Sequence, residues 1–267
     1  MSAPVLSAVG VSVGVVVSVV LLCELLRWFR RFLSGDSGRV LLEGASTLQL
    51  CWCALELKLL GERSSDLPLS WRLSLLYAVT ACTCRASAGQ LLSDWPSGAR
   101  VSGRLTLRAA LGLVSVQLSA ALVARALAVL VWSHGWSEVH EQHRRFGYRC
   151  FDPLGGTLLE AAANELALSF IVQGVVLHLH KLEPALRVHA LSATITAAVY
   201  AGGAVSGAVL NPVLAVSLQF PCSGHSLLDY LFVYWLGPIL GVASCFLLFQ
   251  IIVPFLSEKD VHKQKTQ

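Results

Sequence analysis

The sequence predicts an all-α membrane protein built as an inverted repeat, and three observations carry that prediction. Hydrophobic residues make up 55% of the 267 and charged residues only 13%, about half the charged share of a typical soluble domain, and the mean hydropathy is +0.66. The apolar residues gather in seven runs, each near the roughly 20 residues needed to cross a bilayer core. Finally, a short motif and a half-length segment occur twice, at matching places in two halves of the chain.

The first run, 3–26, carries no charge before Glu24. The second, 41–61, is interrupted by Glu43 and Glu56, and the third, 70–90, centres on Leu73–Val79. Runs at 109–133, 156–180 and 186–208 follow, and the longest is 227–255. Two pieces are too short to span: 92–104, around Asp94-Trp95-Pro96-Ser97-Gly98, and 209–221, around Asn211-Pro212-Val213. Each has a proline near its start, where a helix tolerates the missing N–H, so both read as half-helices. Residues 1–26 do not read as a cleaved leader, because the basic residues follow the apolar run instead of preceding it.

Lysine and arginine set the expected orientation. With seven spans, one face collects thirteen: Arg27, Arg30, Arg31 and Arg39, then four between Arg85 and Arg108, Lys181 and Arg187, and three in the tail from Lys259. The other face holds six, Lys58, Arg63, Arg72, Arg144, Arg145 and Arg149. The richer face is expected in the cytosol, with the C-terminus.

Glu43-Gly44-Ala45-Ser46-Thr47-Leu48 recurs as Glu165-Leu166-Ala167-Leu168-Ser169-Phe170, 122 residues on, and Trp95 and Asn211 lie 116 apart. Each half therefore holds three spans with a half-helix between the second and third. Three is odd, so the halves have opposite topology, and inverted repeats with broken helices mark a transport path. The organisation is a helix and basic linker at 1–39, repeats at 40–150 and 151–255, and a cytosolic tail at 256–267.

Asn211-Pro212-Val213 carries the most chemistry. Asparagine is a strong N-cap and proline suits the next position. A half-helix starting there points its free N–H groups and positive dipole end toward the membrane centre. The Asn211 amide can donate to a solute oxygen. Together these favour neutral solutes and repel cations. An isolated Asn-Pro is usually a turn; inside a repeat, after Ser206-Gly207, it is far more specific.

The stretch Tyr200–Val213, reading YAGGAVSGAVLNPV, resembles the second pore loop of the aquaporin family, and the Glu-x3-Thr/Ser repeat resembles the opening of each aquaporin half. Cys222, nine residues after Val213, resembles the signature cysteine of the superaquaporins, the unorthodox intracellular branch. The resemblance covers about residues 40–255, with the first helix as an addition to the family's six spans and two half-helices. It implies a passive channel, a homotetramer in lipid with one pore per subunit, no cofactor, metal or nucleic-acid partner, and water, glycerol or hydrogen peroxide as solutes across the endoplasmic reticulum or another intracellular membrane. It also gives Glu43 and Glu165 the task of accepting half-helix N–H groups.

Two departures stand against this pattern. The first Asn-Pro triplet is replaced by Trp95-Pro96-Ser97; an indole has one donor and no acceptor oxygen, so it cannot cap a helix, and its bulk at the pore centre would narrow or close the path. The selectivity positions read Val199, Ala208 and Leu214, without the histidine and arginine of water channels. Larger or less polar neutral solutes then become candidates beside water. The rival reading is a non-conducting aquaporin-fold protein with a structural or organellar role, its pore closed by Trp95.

The remaining polar residues attract plainer readings. Glu56, Glu160 and Arg125 are expected near span ends or snorkelling, His178 and His180 at an interface, and the eight cysteines mostly as small packing residues, Cys222 included. Gly203/Gly207 and Gly237/Gly241 are expected to permit close helix crossings. No P-loop, dinucleotide fingerprint or His-Glu-x2-His is present, so an enzyme is not expected. A seven-helix receptor accounts for neither the repeat nor the half-helices.

Overall fold

The computed structural model describes residues 3–33, 35–63, 66–93, 107–150 and 154–254. Its regular elements are helices: α1 (Ala3–Phe29), α2 (Asp36–Arg63), α3 (Leu69–Ser93), α4 (Leu107–Ser133), α5 (Glu138–Arg145), α6 (Leu158–His178), α7 (Pro184–Ser206), α8 (Pro212–Leu218), α9 (Leu227–Leu231) and α10 (Gly237–Phe246). A π-helical segment, Phe232–Leu236, joins α9 to α10, and a second, Leu247–Ile252, continues the run beyond α10.

Six stretches among the described residues are long and apolar enough to span a membrane: Val5–Phe32, Asp36–Arg63, Leu111–Ser133, Leu158–Lys181, Pro184–Ser206 and Leu227–Ile252. The expected third span is present as helix α3, outside that set; its side chains are described only to Arg85. The spans present bulky apolar side chains outward, as on α4 with Leu111, Leu122 and Leu130, which is what a lipid surround requires.

Two compact units form. The first contains residues 1–152 and takes in 213–224; the second contains 153–212 and 225–267. In the first, α2 packs against α1, α3, α4 and α5. The N-terminal helix is docked, burying Ala8, Val9, Val15, Val19 and Cys23, and the Arg27 guanidinium donates to Gln49 Oε1 at 2.7 Å. The short polar helix α5, capped by Ser137, is not foreshadowed by the apolar pattern.

In the second unit α6 is the hub, packing on α7 and α10. Its start is a capping box, Thr157 with Glu160, so Glu160 stands at a span end. His178 and His180 lie at the other end, each pairing Nδ1 with a backbone carbonyl. Gly237 and Gly241 make the close crossing: a Cβ on Gly237 would meet the Ala162 carbonyl at 2.9 Å and Glu165 Cβ at 3.2 Å. Gly237→Leu is therefore expected to force α10 off α6 and cost roughly 1–3 kcal/mol or more by overpacking, seen as a lower thermal unfolding midpoint. The Gly203/Gly207 pair does something else. Gly207 adopts φ +86 and ends α7, and the close approach to α6 is made by Gly202, against Asn164 and Leu168.

Two expectations for charged residues are corrected. Glu56 neither snorkels nor sits in an interface: it is fully buried. It accepts hydrogen bonds from Ser12 Oγ (2.7 Å), Trp132 Nε1 (2.7 Å) and His140 Nε2 (2.8 Å). A carboxylate can be buried when donors replace its water, and here α1, α4 and α5 each supply one. Arg125 turns inward to donate to the carbonyls of Ser217 and Phe220.

Candidate functional site

The approach to Asn211 is a short non-helical segment under local strain. After Gly207, Ala208 (φ +47) and Leu210 (φ +61) also lie in the left-handed region, which costs a non-glycine residue roughly 1–3 kcal/mol. Glu165, fully buried on α6, holds them there. Its Oε1 accepts from Ser206 Oγ (2.6 Å) and Val209 N (2.9 Å), and its Oε2 accepts from Leu210 N (2.7 Å). Charge-assisted bonds of this kind are about twice as strong as neutral ones.

Three more side chains complete the frame. Asn164 Nδ2 donates to the Gly202 carbonyl (3.0 Å) and to Ser206 Oγ (2.8 Å). Tyr234 OH donates to the Ser206 carbonyl at 2.8 Å, and Ser169 Oγ donates to the Leu210 carbonyl at 3.4 Å. Ser169 is the hydroxyl of the repeated Glu-x3-Ser motif, so that motif supplies both a carboxylate and a hydroxyl to the same segment. Asn164 and Tyr234 escaped the sequence reading; an amide next to Glu165 inside an apolar run was the available signal.

α8 begins at Pro212, so Asn211 occupies the N-cap position and the proline the first helical one. The half-helix is shorter than the expected 209–221: before it, the N–H groups of Val209 and Leu210 go to Glu165, and after Leu218 residues 219–221 form a turn. Of the filter positions, Val199 and Ala208 come together: Ala208 is buried with Leu168 and Ala198, and Val199 packs against that cluster. Leu214 lies half-buried on α8. Trp95, Pro96 and Ser97 fall outside the described residues, as does most of the segment Glu43 was expected to hold. Glu43 itself accepts from Gln117 Nε2 at 2.5 Å.

The other end of α8 is held within the first unit. Lys58 Nζ donates to the Leu218 carbonyl (2.8 Å) and to Gln219 Oε1 (2.9 Å), and Arg125 serves the Ser217 and Phe220 carbonyls. Two cations at a helix C-terminus complement its negative dipole end. Just beyond, Cys222 is disulfide-bonded to Cys150, which corrects its reading as a packing thiol. The signal was there: these two cysteines lie outside the apolar runs that contain the others. Of the six free cysteines, Cys23, Cys51, Cys53 and Cys245 are buried.

No family model matches the chain, but curated relatives do. It is 34% identical to aquaporin-11 of Homo sapiens over 259 residues, 95% of this chain and 94% of that relative. It is 37% identical to aquaporin-11 of Equus caballus over 260 residues, with the same shares covered. To aquaporin-12 of Mus musculus it is 30% identical over 229 residues, 82% of this chain and 77% of the relative. With its helical spans, its Asn211 half-helix and near full-length similarity to these proteins, the chain belongs to the aquaporin family of membrane channels, in the superaquaporin branch.

Proposed function

We propose that the protein is a passive channel for small neutral solutes, among them water, glycerol and hydrogen peroxide, across an intracellular membrane such as the endoplasmic reticulum. The observation that carries this reading is the Asn211 N-cap at the start of α8, on a backbone fixed by Glu165. A polar terminus held this firmly presents donors to a passing solute with little reorganisation. The apolar filter residues Val199, Ala208 and Leu214 favour solutes that need less replacement of hydration. The working form is a homotetramer in lipid, with the C-terminus in the cytosol. The charge asymmetry supports that orientation, and so does the Cys150–Cys222 disulfide, which belongs on the oxidising face of such a membrane.

Stopped-flow shrinkage and peroxide uptake in proteoliposomes test the proposal. Asparagine and aspartate are equally good N-caps, so Asn211→Asp keeps the helix start while replacing amide donors by an acceptor-only carboxylate. Flux is expected to fall by about tenfold or more, as for a charge introduced into a membrane path, with folding unchanged. Trp95→Asn is expected to raise flux. A silent wild type with a conducting Trp95→Asn variant would instead establish the closed-pore reading that the tryptophan favours.

A further inference from the structure

The disulfide joins the end of α8 to the segment after α5, and its surroundings are those of a reactive site. Cys222 Sγ lies 3.6 Å from the Leu218 carbonyl oxygen and 3.8 Å from Gln219 Oε1. These are the two oxygens that bind the Lys58 ammonium. A cation at that place favours the thiolate, the nucleophilic form, whenever the bond is open. Cys150 opens onto a cleft with about 30 Å³ of free space, lined also by Lys58, Glu62, Arg125, His143 and Tyr148. That is room for a water or two, or a molecule of similar size. His143 on the same lining is buried, with no hydrogen-bond partner for its Nδ1 among the described residues. A backbone bond, Ser223 N to the Cys150 carbonyl at 3.0 Å, sets the two segments side by side apart from the sulfur bridge.

We propose that Cys150 and Cys222 form a peroxide-closed thiol–disulfide latch that fixes the C-terminal end of the Asn211 half-helix. The Cys222 thiolate attacks one oxygen of the peroxide. The O–O bond breaks, and the departing hydroxide takes a proton and leaves as water. The resulting sulfenic acid is attacked by the Cys150 sulfur, the S–O bond breaks, and a second water leaves with the Cys150 proton. Two thiols are oxidised and one peroxide is reduced to two waters. A low-molecular-weight thiol reopens the latch by exchange, becoming a disulfide itself. Closed, the latch adds a covalent hold to those of Lys58 and Arg125; open, that hold is lost while the two cations and the Ser223 backbone bond remain. In its flux readout the proposal rests on the channel reading above.

The test uses the full chain in proteoliposomes, reduced and then exposed to hydrogen peroxide. Differential alkylation with peptide mass spectrometry follows Cys150 and Cys222 separately from the six other cysteines. Closure by peroxide is expected, slowed about tenfold in Lys58→Met as thiolate is lost. Flux is expected to be at least twofold higher in the closed state, with Cys150→Ser and Cys222→Ser fixed at the open value. Failure of peroxide to close the pair, or equal flux in both states of a conducting channel, overturns the latch. If neither state conducts, the channel reading fails by itself. Hydrogen exchange at the α8 amides then decides for the latch: slower exchange on closure sustains it, and unchanged exchange removes it. Should the serine variants not fold, chemically reduced wild type provides the same comparison.

Discussion

Glu165→Ala is expected to lower the thermal unfolding midpoint of the full chain by about 10 °C and to remove solute flux. Three donors end on this carboxylate: Ser206 Oγ, Val209 N and Leu210 N. All belong to a segment whose backbone is left-handed at Ala208 and Leu210. Alanine leaves buried donors without acceptors at roughly 1–3 kcal/mol each and removes what holds the strained residues in place. The segment is then free to leave the left-handed region, and Asn211, next in the chain, leaves its position with it. Glu165→Gln separates the two parts of the effect. Its single amide oxygen still serves Ser206 and Val209, while its NH2 faces the Leu210 N–H, donor against donor. One contact is lost instead of three, so the midpoint should drop by about a third as much and flux should be reduced, not lost. If alanine and wild type melt together, Glu165 is not what fixes the path to Asn211.

The legibility of this site in sequence was uneven, for physical reasons. The Asn211-Pro212 helix start could be read because capping is local: the residue types at N-cap and N1 follow from backbone groups a few positions away. Glu165 could be read because it opens a repeated motif and is a charge where charge is expensive. The spans followed from length and hydropathy, which depend on the bilayer more than on neighbouring helices. Glu56 and Arg125 misled, since a charge in an apolar run is consistent with both snorkelling and burial. Only the partners decide, and Ser12, Trp132 and His140 lie 44, 76 and 84 residues away from Glu56. Cys150–Cys222, separated by 72 residues, and the clamps of Lys58 on a segment 160 residues on were hidden for the same reason. Local chemistry is written in the sequence at short range, whereas pairing across a helical bundle is not.

Glu56→Ala is the second substitution with a large expected effect, and it strikes the first unit. Glu56 on α2 collects α1 through Ser12, α4 through Trp132 and α5 through His140, with both carboxylate oxygens used. Removing the acceptor leaves three buried donors unsatisfied at roughly 1–3 kcal/mol each, so a midpoint drop of about 10 °C is expected here too. Three narrower variants apportion it. Ser12→Ala removes one neutral donor and should cost about 1 kcal/mol; Trp132→Phe loses a donor and ring area and should cost more; His140→Phe should approach the alanine result. Beside the cluster, His143 packs edge-on against Trp132, ring centroids 5.0 Å apart. Burial, and then the positive charges of Arg63 and Arg125, push its pKa down from 6.5 to about 4. A histidine lowered on folding binds fewer protons folded than unfolded below pH 6.5, so stability must fall as pH drops from there toward 4. His143→Phe keeps the ring contact and removes the titration. Thermal midpoints measured from pH 7 to pH 4 should therefore fall less steeply in His143→Phe than in wild type; parallel slopes would mean that the acid sensitivity arises elsewhere, and that His143 is not held neutral beside the Glu56 cluster.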